Sequence, residues 1–175
     1  MQLTEAIELI ENEQFHKAGI QTWADLGCGS GIFTSALASR LVSGSIIYAV
    51  DSDVASLKMI PNTAGVSIET IQADFVKDPL NFPPLDGILM ANSLHYVKDK
   101  TGFIGKIAKF LQPEGCFLFI EYDTDRPVPT WVPYPLSFQS LAKLLAVAGF
   151  SSAVRIGQRP SRYHRGTMYC ALIKK

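Results

Sequence analysis

The sequence predicts an α/β fold: a doubly wound, mostly parallel sheet with helices on both faces. Three observations carry that expectation. Short apolar runs rich in β-formers alternate with stretches of helical spacing, the pattern that builds parallel sheets. The first of these runs opens directly into a cluster of glycines. The last two runs have no helical stretch between them, so a hairpin joins them and one of the pair runs antiparallel.

The elements follow in order. Leu3, Ile7 and Ile10 lie at helical spacing and mark a short leading helix, about 3–13, ahead of a core from about 20 to 175. Thr22 to Leu26 is a first strand, and Ile32 to Leu41 a helix through Phe33, Leu37 and Leu41. Ile46 to Val50 is a second strand, and Val54 to Ile60 a short helix stopped by Pro61. Val66, Ile68 and Thr70 alternate with polar residues as a half-buried edge strand does. After the proline-rich loop Asp78 to Pro84, Gly87 to Ala91 is a fourth strand. Phe103, Ile107, Phe110 and Leu111 mark a helix closed by Pro113 and Gly115. Cys116 to Ile120 is continuously apolar, as a strand covered on both faces must be. Ser137 caps a helix carrying Leu141, Leu144, Leu145 and Ala148, with Gly149 at its end. Ala153 to Ile156 and Met168 to Ile173 are the final strands, joined through Gly157 to Gly166. No repeat divides the 175 residues, a length that suits one domain, 1–175.

Hydrophobic residues make up 47% and charged residues 18%, the balance of a globular chain rather than a disordered one. Lysine plus arginine equal aspartate plus glutamate at 16 each. That balance argues against a nucleic acid or an anionic membrane as the main partner, since both need excess cationic charge. Arg155, Arg159, Arg162 and Arg165 form one local basic cluster. Cys28, Cys116 and Cys170 make neither a C-x-x-C pair nor a zinc spacing, so no metal site is expected and a reducing, cytoplasmic setting is. Met1 to Glu13 is acidic and lacks the features of a signal peptide, and no apolar run approaches the ~20 residues that cross a bilayer.

In such folds ligands bind at the carboxyl ends of the strands, where strand order reverses. The first strand ends in Asp25-Leu26-Gly27-Cys28-Gly29-Ser30-Gly31. Glycines there let the backbone turn sharply and a ligand approach closely. A nicotinamide or flavin fingerprint needs G-x-G-x-x-G, and its third glycine would fall on Ile32. Asp25, two residues before the first glycine, repels a pyrophosphate and attracts an amino group, which favours a zwitterionic amino-acid moiety. Asp51 follows the second strand, about 20 residues after Gly31, where an acid accepts from ribose hydroxyls. The alternative is a helix cap shared with Ser52 and Asp53. Asp74 and Phe75 follow the third strand: an acceptor for an adenine amino group with a ring beside it, or a turn acid next to a core aromatic.

Together these residues resemble the class I S-adenosylmethionine-dependent methyltransferases, in particular the broad small-molecule group. The resemblance runs from about Thr22 to Ile173. It also rests on Asp86 to Val97, including Asn92-Ser93-Leu94-His95-Tyr96, and on the Gln112-Pro113-Glu114-Gly115 turn. It implies a single Rossmann-like, seven-stranded sheet in order 3-2-1-4-5-7-6 with an antiparallel last strand, and S-adenosyl-L-methionine as cofactor. By the same resemblance, Asp25, Gly27, Cys28, Gly29 and Gly31 hold the methionyl end, Asp51 the ribose, and Asp74 with Phe75 the adenine. Asn92, Ser93 and Leu94 line the methyl-donor pocket. Few residues precede the first strand and the third crossover is very short, which implies a reduced N-terminal lid over the acceptor.

On the acceptor side, methyl transfer is an in-line displacement that depends on proximity and exclusion of water. His95 is placed to act as base for an acceptor of high pKa; the alternative is a histidine packed against Tyr96 or capping a loop. Glu121, Tyr122, Asp123 and Asp125 either hydrogen-bond an acceptor or solvate a loop. Pro127 to Pro135, with Trp131 and Tyr134, covers the acceptor pocket, meets another subunit or is a rigid connector. Tyr163 and His164 lie in the final hairpin. No Asn/Asp-Pro-Pro-Tyr segment follows the fourth strand, which argues against amino methylation of nucleic acid. The partner expected is therefore a small-molecule acceptor. Two other readings stand beside it: a cofactor-binding regulatory or inactive relative, and a nicotinamide oxidoreductase whose fingerprint Ile32 breaks.

Overall fold

In the computed structural model, which describes residues 1–16, 19–150, 153–161 and 166–174, seven strands form one sheet. They are β1 (Thr22–Leu26), β2 (Ile46–Asp51), β3 (Ser67–Gln72), β4 (Leu85–Ala91), β5 (Leu111–Tyr122), β6 (Val154–Pro160) and β7 (Thr167–Lys174). Their order is β3-β2-β1-β4-β5-β7-β6. The pairings β3–β2–β1–β4–β5 are all parallel, and β7 runs antiparallel to both β5 and β6. The order reverses between β1 and β4, which opens a crevice above their carboxyl ends.

Among the described residues the five α-helices are α1 (Leu3–Ile10), α2 (Ile32–Ala38), α3 (Val54–Leu57), α4 (Lys100–Ile107) and α5 (Phe138–Val147). Successive side chains of a strand face opposite sides of the sheet, and β5 shows the consequence. Cys116, Leu118 and Ile120 pack with Leu9 and Ile10 of α1 and Phe33 and Leu37 of α2. Phe117 and Phe119 pack with Ile104 and Ile107 of α4 and Leu141 and Leu145 of α5. Two apolar layers thus sandwich the sheet and hold its carboxyl edge rigid.

The boundaries differ from the sequence pattern in instructive ways. α1 stops at Ile10 and a 3-10 turn, Glu13–His16, replaces its last turn. α2 and α3 end at Ala38 and Leu57, short of Leu41 and Ile60. Gln112 to Gly115, expected as a turn ahead of the fifth strand, lie within β5 as an outward bulge: Leu85 pairs with Leu111, but Gly87 pairs with Cys116. β3 is the expected edge strand, with Thr70 exposed; Ile68 and Ile71 instead reach the two opposite layers. β6 continues to Pro160, so the hairpin connection is shorter than the pattern implied. Arg162, Tyr163, His164 and Arg165 lie outside the described residues. Among the described residues, no helix is long and apolar enough to cross a membrane.

Gly87 of β4 lies directly under Trp23 of β1, whose ring is 1% exposed and whose Nε1 donates to Gln21 Oε1 at 2.9 Å. A β-carbon at position 87 would collide with the indole. Gly87→Ala is expected to lower the unfolding free energy by about 1–3 kcal/mol through overpacking. In urea this reads as a lower midpoint with an unchanged slope; an unchanged midpoint contradicts the packing described.

Candidate functional site

The chain leaves β1 through the glycine loop. The Gly27 and Cys28 N–H groups both donate to Val50 O, at 2.8 and 3.0 Å, which folds the loop over the end of β2. Asp51 completes the attachment: its Oδ2 accepts from Gly29 N–H at 2.8 Å and its Oδ1 from Asp53 N–H at 2.9 Å. Asp51 is therefore no helix cap. That role falls to Asp53, whose carboxylate accepts from Ala55 N–H and Ser56 Oγ. The loop also meets its surroundings closely. A β-carbon on Gly27 would stand 2.5 Å from Ser93 Cβ and 3.0 Å from the Phe75 ring, and one on Gly31 2.8 Å from Ile60.

Above this loop, at the carboxyl ends of β1 to β4, lies a cavity of about 450 Å³. Of the residues expected to hold a cofactor, Gly27, Asp51, Asp74, Phe75, Asn92 and Ser93 line it. Ser52, Val76, Lys77 and Tyr96 line it as well and were not anticipated. The signal that would have found them is position alone, since each lies in the first few residues after a strand.

The other expected residues stand behind the wall. Asp25 is fully buried; its Oδ2 accepts from Thr34 Oγ1 at 2.7 Å, and its Oδ1 has no hydrogen-bond partner. Burial pushes its carboxyl up to about 7, against the Thr34 hydrogen bond and with a further push from the Asp51 charge. Cys28 is half-buried, and burial drives its thiol up. Gly29 and Gly31 shape the loop. Leu94, expected in the donor pocket, is instead fully buried in the layer between the sheet and α4 and α5.

Asn92 is the most telling residue on the wall. Its φ of 54° is left-handed, its N–H donates to Ile120 O at 2.8 Å, and its buried Oδ1 has no partner. A strained backbone and an orphaned acceptor at one cavity-lining residue mark a site awaiting a donor. Ser93 Oγ donates to Leu26 O at 2.6 Å and ties this turn to β1. The cradle at Gly27 and the orphaned Asn92 Oδ1 fit a ligand that carries an ammonium group. Asp74 behaves as a turn acid: Oδ1 accepts from the Val76 and Lys77 N–H groups, and Oδ2 pairs with Lys77 Nζ at 2.6 Å.

His95, expected either to serve as base or to pack against Tyr96, has an enclosed ring. The ring is enclosed at 2% exposure, its Nδ1 lies 2.6 Å from Glu121 Oε2, and its centroid is 4.4 Å from that of Tyr96. Glu121 Oε1 accepts from the His95 N–H at 3.1 Å, so one carboxylate grips both the backbone and the ring. Asp123 and Asp125 are also committed to the scaffold. Asp123 accepts from Phe138 N–H and pairs with Arg155 at 2.8 Å, while Asp125 accepts from the Ser137 N–H, Ser137 Oγ and Ser140 Oγ. Among the described residues, no group of three or more His, Cys, Asp or Glu is arranged to hold a metal ion.

Comparison with known proteins accords with this geometry. A profile of the family described as "Methyltransferase domain" matches residues 24–119. An uncharacterized methyltransferase of Mycobacterium tuberculosis is 25% identical over 107 residues, covering 61% of this chain and 53% of its own length. The chain thus spans about half the length of the curated relatives it matches. Among solved structures, the 1,6-didemethyltoxoflavin-N1-methyltransferase of Burkholderia thailandensis superposes with a TM-score of 0.72 at 18% identity, covering 99% of this chain and 77% of that one. That structure holds 1,6-didemethyltoxoflavin and S-adenosylhomocysteine. A SAM-dependent methyltransferase from Aquifex aeolicus superposes at 0.64 with 18% identity, covering 99% of both chains.

The buried Asp25 generates a prediction for the ligand-free protein. Its folded pKa, raised to about 7, exceeds that of the unfolded chain, so the folded state holds a proton that the unfolded state has already released. The stability this contributes is complete below the unfolded value and is lost as pH rises through the folded one. Between pH 5 and pH 8 the loss is on the order of 2–3 kcal/mol. Urea unfolding of the native protein and of Asp25→Asn is expected to show that this component is missing from the variant; parallel pH profiles contradict it.

Proposed function

The chain belongs to the methyltransferase domain family, and on that premise we propose that it transfers a methyl group from S-adenosylmethionine to a small-molecule acceptor. The observation that carries this reading is the cavity at the β1/β4 reversal, where the orphaned Asn92 Oδ1 stands beside the Gly27 cradle. S-adenosylmethionine supplies a methyl group on a positively charged sulfur, poised for in-line displacement.

The residues divide the work of holding it. Asn92 Oδ1 accepts from the methionyl ammonium, and Asp25 stays behind the loop, hydrogen-bonded to Thr34. Asp51 keeps the glycine loop closed and offers its remaining acceptor capacity to the ribose hydroxyls. Phe75 lies against the adenine, and the Asp74–Lys77 turn frames that end through its backbone. Gly27 leaves room for the ligand to pass over the end of β1, and Ser93 holds the β4 turn at the required height. His95 is a positioning residue: gripped by Glu121, it sets Tyr96 at the mouth of the cavity. The chemistry then rests on proximity and exclusion of water rather than on a protein base.

At about 100 times its Kd, S-adenosylhomocysteine adds roughly 2.7 kcal/mol of stability and raises the melting temperature by about 5–10 °C. NAD at equal concentration produces no comparable rise. In calorimetry, Asp51→Ala loses about 1.5–3 kcal/mol of S-adenosylhomocysteine binding, whereas Asp53→Ala lowers stability and leaves affinity unchanged. A melting rise with NAD alone, or full affinity in Asp51→Ala, overturns the donor-site reading.

A further inference from the structure

Tyr96 lines the cavity at the β1/β4 reversal and is 50% exposed. Its backbone is tied down closely. Tyr96 N–H donates to Ser93 O at 3.1 Å and Val97 N–H to Leu94 O at 3.0 Å, which closes the 3-10 turn Leu94–Tyr96. The carbonyls of its two neighbours are held from outside the turn. His95 O accepts from Tyr134 N–H at 3.0 Å, and Val97 O accepts from Lys100 Nζ at 2.8 Å. The same ammonium donates to Tyr134 O at 2.6 Å, so Lys100 and Tyr134 form one brace across the turn.

The brace is itself rigid. Asp125 Oδ1 accepts from Ser137 N–H at 2.9 Å and closes the ends of the segment 125–137. Within it Val128 and Val132 exchange backbone hydrogen bonds of 3.1 and 2.8 Å, and Tyr169 Oη donates to Leu136 O at 2.8 Å. Lys100 is 7% exposed, and a buried ammonium is tolerated only when it is hydrogen-bonded as this one is. On the other side the Tyr96 ring lies 4.4 Å, centroid to centroid, from the His95 ring that Glu121 grips. Tyr96 is thus fixed before any ligand arrives, and such a ring loses little freedom on binding.

We propose that the Tyr96 ring recognises the positively charged sulfur of S-adenosylmethionine through a cation–π contact, and so distinguishes the methyl donor from its demethylated product. The proposal rests on the donor-site reading above. A sulfonium carries charge but no N–H or O–H, so no acceptor can read it by a hydrogen bond, whereas the face of an aromatic ring attracts it. The carboxylates on the cavity wall are already engaged at both oxygens: Asp51 by the Gly29 and Asp53 N–H groups, Asp74 by Lys77 and the Val76 and Lys77 N–H groups. Two rings line the cavity, Phe75 after β3 and Tyr96 after β4. With the adenine at Phe75 and the ammonium at Asn92, the sulfur lies a short aliphatic chain from the ammonium, on the side of the β4 turn that carries Tyr96. In the transfer the acceptor's nucleophilic atom bonds to the methyl carbon as the carbon–sulfur bond breaks. The electron pair of that bond stays on sulfur, and the acceptor's proton passes to solvent. The charge on sulfur falls as this happens, so the contact serves donor selection and product release rather than the chemical step.

The two ligands differ by one methyl group and one charge, which makes the ratio of their affinities the readout. S-adenosylmethionine and S-adenosylhomocysteine are titrated by calorimetry into the native protein, Tyr96→Leu, Tyr96→Gln and Tyr96→Phe. The position is half exposed, and thermal melts verify that the variants fold. Tyr96→Leu and Tyr96→Gln are expected to weaken S-adenosylmethionine about three- to thirtyfold while leaving S-adenosylhomocysteine close to its native affinity. Tyr96→Phe, which keeps the ring, retains the native ratio. Equal weakening of both ligands assigns the ring to a part they share, the ammonium or the ribose, and overturns the proposal. An unchanged ratio in Tyr96→Leu and Tyr96→Gln overturns it as well, with the donor-site reading intact. If neither ligand binds the native protein, the donor-site reading falls and takes the proposal with it.

Discussion

Gly27 and Gly31 hold φ values of 78° and 81°, and a side chain on either would press into Ser93 or Ile60. That pair of constraints lets the chain turn off β1, cross the end of β2 and enter α2 within five residues. The Asp51 carboxylate then clasps Gly29 N–H, so the end of β2 is held to the same loop. The Ser93 hydroxyl performs the matching task on the other side, from the β4 turn to Leu26 O. The cavity exists because these attachments converge where the sheet reverses direction.

Its electrostatics follow from what the packing leaves unsatisfied. A fully buried carboxyl with one unpaired oxygen and a strained asparagine with an orphaned amide oxygen both cost folding free energy in the absence of a donor. Natural chains keep such groups mostly where a ligand supplies what is missing. By contrast, the Glu121–His95 and Asp125–Ser137 contacts are satisfied within the protein, which places them in the framework. The division between satisfied and unsatisfied polar groups separates scaffold from site more sharply than residue type does.

Much of this was legible in the residues. Short apolar runs, one alternating segment and helical spacing located the seven strands and five α-helices of the described residues, because buried strands are apolar on both faces and each helix buries one stripe. The glycine loop and Asp51 were readable since backbone turning and strand-end position leave few residue choices. What escaped was whatever depends on neighbours distant in sequence. Leu85 pairing with Leu111 extends β5 across a bulge, a register that local propensity does not encode. His95 lies just past a strand end, the position expected of a base, and only the arrival of Glu121 from β5 shows that its ring is enclosed. Asp123 and Asp125 were read equally as acceptor ligands or as solvated loop acids, and the start of α5 folds back onto both. Tyr96 and Ser52 were passed over because nothing in their residue types distinguishes a cavity wall from a loop.

The central claim is that S-adenosylmethionine lies with its amino-acid end at the Asn92–Gly27 cradle and its adenine at Phe75. A crystal structure of the protein with S-adenosylhomocysteine tests it most directly. The account predicts the ligand ammonium within hydrogen-bond distance of Asn92 Oδ1, the ribose hydroxyls at Asp51, and the adenine ring against Phe75. A ligand bound in the reverse direction, or at any site away from the β1–β4 reversal with Asn92 Oδ1 still unpaired, contradicts it.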